Sequence, residues 1–92
     1  MDIRQKYQIA AENAYAKVPH FIMKKPSTED YVHILQLASS VMMTRDKVLP
    51  GGSFVQSIVD NDLSAAFNRA DTVAETAIKF FVYCRNNVHI NQ

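Results

Sequence analysis

The sequence predicts an all-α domain in which an N-terminal helix precedes an antiparallel hairpin of two long helices. Apolar residues recur at the i, i+3, i+4 spacing of a buried helical face in three segments, and no segment alternates as a strand would. Both glycines follow Pro50 directly, where a fixed proline φ and two permissive glycines favour a chain reversal. We therefore expect one domain over 1–92, with the N-terminal helix at 2–18 and the hairpin at 28–88.

The N-terminal helix has a start signal, an apolar line and a stop signal. Asp2 followed by Gln5 is the pattern of a capping box, and Pro19 is expected to end the helix. The apolar line consists of Ile3, Tyr7, Ala10, Ala14 and Val18.

The first helix of the hairpin is predicted to begin at Ser27 or Thr28, whose hydroxyls can cap it. Acidic residues in the next two positions suit the positive end of the helix dipole. Its apolar stripe consists of Tyr31, Ile34, Leu35, Ala38, Val41 and Met42.

The second helix of the hairpin is expected to begin with Ser53, which forms a capping box with Gln56. Its predicted buried face consists of Val55, Ile58, Val59, Leu63, Ala66, Phe67 and Ala70. Two continuations are compatible with the pattern. Thr72 with Glu75 could cap a new helix, or one kinked helix could run to about Asn86.

Composition limits the classes of partner. A chain of 92 residues, 48% of them hydrophobic, can bury only a thin core, so we expect a homo-oligomer. A net charge of +1 gives no broad surface for a DNA or RNA polymer. The N-terminus resembles neither a signal peptide nor a membrane span, and a single cysteine, Cys84, suits a reducing compartment. A cytoplasmic location without membrane association is the expectation.

Residue spacing argues against an enzyme, a metal site and a cofactor. His20, His33 and His89 lie far apart with no paired-ligand spacing, and Cys84 lies on an apolar face. The Gly51–Gly52 pair lacks the flanking spacing of a phosphate-binding loop.

A basic and hydroxyl-rich segment precedes the first hairpin helix. Two ammonium groups and two hydroxyls lie where the first helical amides are unpaired, which is an arrangement that binds phosphate. The alternative is a solvated loop with an ordinary helix cap, which the two following acidic residues favour. The segment contains Lys24, Lys25, Ser27 and Thr28.

The segment around the second hairpin helix resembles a motif of phage type-two anti-CBASS proteins, which bind the cyclic oligonucleotide signals of bacterial antiphage defence, and of related anti-Thoeris sponges. The resemblance covers about a quarter of the chain. It implies a helical hairpin, a homo-oligomer such as a hexamer, and sequestration of cyclic di- and trinucleotides without cleavage. Its residues are Pro50, Gly51, Gly52, Phe54, Ile58, Val59, Asn61, Asp62, Leu63, Ala66, Phe67, Arg69, Ala70 and Asp71.

The resemblance also implies two ligand sites. In the first, a tyrosine of the N-terminal helix stacks on a base, while a lysine and a hydroxyl residue two positions later contact the ligand. Lys25 and Ser27 have that spacing, with Lys24 and Thr28 as neighbours. Tyr7 is the expected tyrosine, although Tyr15 is an alternative and Tyr7 could equally pack in the core.

In the second implied site, Arg69 contributes to a separate pocket for cyclic trinucleotides. The alternative is an exposed arginine paired with Asp62 or Asp71. A different functional class also fits the sequence, namely a small helical inhibitor that binds another protein through its amphipathic faces.

Overall fold

The computed structural model describes residues 2–18 and 25–90, and these residues form helices and connecting loops without a strand. The predicted all-α class is therefore confirmed. Within the described ranges there are six helices: α1 Ile3–Lys17, α2 Thr28–Arg45, α3 Ser53–Val59, α4 Leu63–Arg69, α5 Thr72–Thr76 and α6 Ile78–Asn87. No helix among them is both long and apolar enough to cross a bilayer.

Helix α1 begins and ends close to the predicted positions. The Asp2 carboxylate accepts a hydrogen bond from the Arg4 amide at 3.1 Å, and the Gln5 side chain accepts one from the Asp2 amide at 3.1 Å. The capping box is thus confirmed, and the helix ends at Lys17 with Val18 as its C-cap.

Helix α2 occupies the centre of the fold and contacts α1, α3, α5 and α6. Its predicted cap is confirmed, because the Ser27 hydroxyl oxygen accepts from the Asp30 amide at 3.2 Å. Because α2 has neighbours on several sides, it buries residues on more than one of its faces. Its buried residues are Ile34, Leu35, Ala38, Ser39, Val41 and Met42.

The predicted second long helix is wrong, because the chain over 53–87 forms four short helices. The first break follows α3, where Asn61 takes a positive φ of 60° and Asp62 accepts from the Ala65 amide to start α4. The second break precedes α5, where the Asp71 carboxylate accepts from the Ala74 amide at 2.7 Å. Of the two continuations considered, the break near Thr72 is the one observed, although Asp71 rather than Thr72 supplies the cap.

The turn between α2 and α3 also differs from the prediction. Gly52 is the N-cap of α3 and Ser53 is its first residue, so the expected Ser53 cap is wrong. Neither glycine has a positive φ, whereas Lys47 has one of 61°. Gly51 is required for another reason: a Cβ atom there would lie 2.8 Å from Cβ of Val55 and 2.9 Å from Oγ of Ser40.

The breaks change which residues of the predicted apolar face are buried. Ala66 is fully buried, but Leu63 and Phe67 are 48% and 51% exposed. Because α4 is a separate helix, its orientation can differ from that of α3. The small side chain of Ala66 faces the core, and the larger side chains of Leu63 and Phe67 face outward. The large core residues come instead from several helices: Tyr7, Ile34, Met42, Ile58, Phe80 and Phe81.

Arg45 joins the ends of two helices. Its guanidinium donates to the backbone carbonyls of Cys84 at 3.0 Å, Arg85 at 2.9 Å and Val88 at 2.6 Å. These carbonyls lie at the C-terminal end of α6, where the last carbonyls of a helix have few backbone partners, although that of Cys84 also accepts from the Val88 amide at 3.2 Å. Arg45 therefore satisfies the end of α6 and fixes it against the end of α2.

Candidate ligand-binding site

A recess of about 430 Å³ lies between the start of α2 and helix α5. It contains the predicted lysine and hydroxyl pair, together with polar residues from both helices. Its lining residues are Lys25, Pro26, Ser27, Asp30, Ile34, Thr72, Val73 and Thr76.

Local structure positions both walls of this recess. Ser27 caps α2, and Asp30 follows it by one helical turn, so both side chains project near the helix start. On the opposite wall, Thr72 and Thr76 are four residues apart and share one face of α5. His33 Nε2 lies 3.0 Å from Oδ2 of Asp71, which connects α2 to the cap of α5.

The Asp71 carboxylate is held in its charged form. Its pKa lies below the ordinary value because it accepts from the Ala74 backbone amide and, to a smaller extent, because of His33. This carboxylate therefore caps α5 and contacts α2 at the same time. The wall formed by α5 is fixed relative to α2 by these contacts.

The recess offers groups of both signs. Within the part of the chain that the structure describes, neither Lys25 nor Asp30 forms an ion pair. The Ser27 hydroxyl oxygen accepts from an amide, which leaves its hydrogen available to a ligand. The Thr76 hydroxyl donates to the Val73 carbonyl at 2.7 Å, so its oxygen can still accept. The lining can therefore both donate to an anion and accept from a hydrogen-bond donor.

Tyr7 lies far from this recess. Its side chain is fully buried, and its hydroxyl donates to Asp46 at 2.8 Å. Asp46 is the C-cap of α2 and Ser27 is its N-cap, so at 1.5 Å per residue the two lie about 28 Å apart. The structure thus places Tyr7 in the core, as the alternative interpretation expects, and leaves no open ring face for a base.

Tyr15, the alternative tyrosine, is partly buried and takes part in an aromatic cluster. Its ring centroid lies 4.9 Å from that of Tyr31 and 5.7 Å from that of Phe80, both in edge-to-face arrangements. Such pairs favour the packed state beyond simple area burial. Tyr15 therefore has an evident packing role between α1 and its neighbours.

The predicted basic segment is only partly brought together. Lys25 and Ser27 both line the recess, whereas Thr28, the first residue of α2, is exposed and does not line it. Lys24 lies outside the described residues. The lysine and hydroxyl pair that the resemblance implies as a ligand contact thus lines a recess of ligand size.

Arg69 lies on α4 and connects it to α3. One of its terminal nitrogens donates to the Ser57 hydroxyl at 2.7 Å and to the Ser53 carbonyl at 3.2 Å. Among the described residues it pairs with neither Asp62 nor Asp71, which was the alternative considered from the sequence. The residue is otherwise exposed to solvent.

Sequence reasoning did not identify Asp30, Thr72 and Thr76 as site residues. Asp30 appeared only as a favourable charge near the start of a helix. Two threonines four residues apart are a recognisable helical face, but they reach α2 only because the chain breaks before α5. This proximity of helices distant in sequence has no local signal.

A second recess, of about 630 Å³, lies between α4 and α6 and is mainly apolar. We call it the α4–α6 groove. Leu63 and Phe67 form one side, and Lys79 lies at its edge. The remaining lining residues are Ile78, Val82, Tyr83, Asn86 and Asn87.

Within residues 2–18 and 25–90, no group of three or more His, Cys, Asp or Glu side chains is arranged to hold a metal ion. Compared with protein-family models, with curated proteins and with solved structures, the chain gives no significant match.

Proposed function

We propose that this protein is a phage-encoded sponge that binds cyclic oligonucleotide second messengers and withholds them from the effectors of CBASS defence. Its ligands are cyclic dinucleotides such as cyclic GMP–AMP, and cyclic trinucleotides at a second site. It acts in the cytoplasm of the infected bacterium. The resemblance of the hairpin segment to anti-CBASS proteins suggests this function, and the recess around Lys25 is the observation that supports it best.

The recess suits part of such a ligand. The Lys25 ammonium and the Ser27 hydroxyl are donors for phosphate oxygens, and charge-assisted hydrogen bonds of this kind are the strong ones. Pro26 and Val73 add apolar surface on which a base or sugar can pack. Binding alone is sufficient for the function when protein sites outnumber the signal molecules.

The affinity of the Lys25→Ala variant tests this site. Loss of one charge-assisted contact should weaken cyclic dinucleotide binding by about one to two decades, measured by calorimetry. Lys17→Ala removes a lysine of α1 that is also exposed and lies outside the recess, and this variant should bind like the parent. If Lys25→Ala binds as tightly as the parent, the recess is not the site.

Sequestration without cleavage predicts that the bound nucleotide is recovered intact. The complex should be heated until the protein denatures, and the released compound should co-elute with the cyclic nucleotide that was added. Linear products would show hydrolysis and would contradict the proposal.

A second site at Arg69 is part of the same proposal. Only one of the two terminal nitrogens of Arg69 forms a hydrogen bond within the described chain, and the exposed guanidinium can also bind a phosphate. Arg69→Glu should weaken cyclic trinucleotide binding while cyclic dinucleotide binding is largely retained. Equal loss of both ligands would indicate one shared site or a damaged fold.

A protein-binding inhibitor is the second candidate, and the exposed apolar residues of the α4–α6 groove favour it if a second copy of the chain does not cover them. The two candidates differ in a simple measurement. A ligand that binds only the folded state must raise the melting temperature, so a rise with cyclic nucleotides supports the sponge. No rise with any cyclic di- or trinucleotide would favour the inhibitor.

A further inference from the structure

The carboxylate of Asp30 is the feature of the recess that phosphate binding does not explain. It lines the same recess as Lys25 and forms no ion pair within the described residues. A carboxylate only accepts hydrogen bonds, and it repels a nearby phosphate. A ligand that fills this recess must therefore present hydrogen-bond donors to Asp30 while its anionic part faces Lys25.

We infer that the recess selects guanine, with Asp30 as the residue that determines the specificity; this inference rests on the proposed function. The Watson–Crick edge of guanine carries two neighbouring donors, N1–H and the N2 amino group. The two oxygens of one carboxylate can accept both in parallel, as they accept from a guanidinium. Lys25 and Ser27 then contact the phosphate attached to the same nucleoside.

The other bases do not offer this pair of donors. Adenine and cytosine each place a ring-nitrogen acceptor beside the amino group, which would face the second oxygen of Asp30. Uracil has one N–H between two carbonyl acceptors. A correctly matched pair of hydrogen bonds discriminates between bases by roughly tenfold to a hundredfold.

The rest of the lining accommodates the remainder of a nucleoside. The half-buried side chain of Val73 can contact a face of a purine, and Thr72, on α5, lines the recess together with Asp30 of α2. A recess of about 430 Å³ is within the range of small-molecule sites, and the His33–Asp71 contact holds its two walls together.

The experiment compares three cyclic dinucleotides that differ only in their bases. Cyclic di-GMP has both donors, cyclic di-IMP lacks the N2 amino group, and cyclic di-AMP lacks both. With the parent protein, affinity measured by calorimetry should decrease in that order, with about tenfold or more between the first and the last. Asp30→Asn should weaken cyclic di-GMP binding by at least about tenfold and leave cyclic di-AMP binding within about twofold.

Glu29→Gln is the matched control for this substitution. Glu29 is also an acidic residue in the first turn of α2, but it does not line the recess. Both variants lose one negative charge near the same helix dipole, so a general effect on α2 would appear in both. Circular dichroism and the melting temperature should show that both variants remain folded.

The outcomes separate this inference from the proposed function. If cyclic di-GMP and cyclic di-AMP bind the parent equally well, Asp30 does not read the base, although the sponge function stands. The inference also fails if Glu29→Gln and Asp30→Asn lose the same affinity for cyclic di-GMP. If no cyclic nucleotide binds at all, the proposed function fails and the inference fails with it.

Discussion

The carboxylate of Asp46, at the end of α2, accepts hydrogen bonds from two side chains. Arg45 donates to both of its oxygens, at 2.8 and 3.0 Å, and the Tyr7 hydroxyl donates to one of them at 2.8 Å. The pKa of Asp46 is consequently lowered below its ordinary value of 3.8, mainly by the hydrogen bond from Arg45. The hydroxyl of Tyr7 thus has a structural partner, independent of any ligand.

Tyr7→Phe should lower the free energy of unfolding by about 1 to 2 kcal/mol, because the charged carboxylate of Asp46 loses the hydrogen bond from the Tyr7 hydroxyl while the ring remains buried. Urea unfolding followed by circular dichroism measures this change. Tyr15→Phe provides the comparison at a tyrosine that is only partly buried. Unchanged stability of Tyr7→Phe would contradict the assigned role of the hydroxyl.

Acidification should remove the stability that Asp46 and Asp71 contribute. Both have folded-state pKa values below the ordinary one, so their contribution is complete above the unfolded-state pKa, near 3.8. This contribution to stability should be lost as the pH falls below about 4 and passes through the folded-state pKa values of the two carboxyl groups. Melting temperatures between pH 6 and pH 2 test this, and Asp46→Asn should flatten the decrease. An equally steep decrease in that variant would assign the effect to other groups.

Cys84 should be unreactive in the folded protein. Burial raises the pKa of its thiol to about 12, against a smaller opposing effect of Arg45. Since the thiolate is the reactive form, at pH 8 the folded protein holds roughly a thousandfold less of it than an unfolded chain. Iodoacetamide should label Cys84 rapidly in 8 M urea and very slowly without it. Equal rates would show that the thiol is exposed.

At the scale of elements, the connection between α2 and α3 depends on close packing. Gly51 allows the turn to approach Val55 and Ser40, while Gly52 has open space where a Cβ would lie. Neither glycine needs a positive φ. The two adjacent glycines therefore have different roles, which the sequence does not distinguish.

Gly51→Ala should lower the free energy of unfolding by about 1 to 3 kcal/mol, because the added methyl group overpacks the turn against Val55. Gly52→Ala is the matched control and should change the free energy of unfolding by less than about 0.5 kcal/mol. Alanine is a weaker N-cap than glycine, which lowers this free energy, but it also makes the unfolded chain less flexible, which raises it. Thermal unfolding of both variants measures the difference. Similar values would show that the turn relaxes easily.

At the scale of the whole molecule, the exposed apolar surface supports the expected association. Phe67 projects from α4 beside a recess whose walls include Ile78 and Val82. A patch with both a protruding ring and a recess can pair with the same patch on a second copy, as a two-fold interface requires. A second copy of the chain is the occupant that we propose for the α4–α6 groove.

Light scattering of the parent at micromolar concentration should therefore give a mass at least about twice the 10.4 kDa of one chain. Phe67→Ser should reduce the mass, because it removes the ring that the proposed interface would place in the groove of the second copy. Ile9→Ser removes an apolar side chain of similar exposure, 42% against 51%, from α1 and should not change it. A parent that is monomeric, or a Phe67→Ser variant of unchanged mass, would contradict this interface.

The sequence by itself determined the features that depend on neighbouring residues. The helical class, the Asp2–Gln5 capping box and the start of α2 at Ser27 or Thr28 were all predicted correctly, because period and capping act over three or four residues. The pairing of Lys25 with Ser27 was also visible, since both belong to one short segment. The break near Thr72 was one of the two continuations that the sequence left open, whereas the break at Asn61 and Asp62 had a local signal that the continuous apolar spacing concealed.

Only the tertiary structure decided the features that depend on helices meeting. It placed Thr72 and Thr76 opposite Asp30, turned Phe67 outward, and buried Tyr7 against Asp46. Helical periodicity shows that a residue lies on an apolar face, but it does not show whether another helix covers that face. Which faces are covered depends on the breaks and on the packing around α2, and these arise from contacts between residues that are distant in sequence.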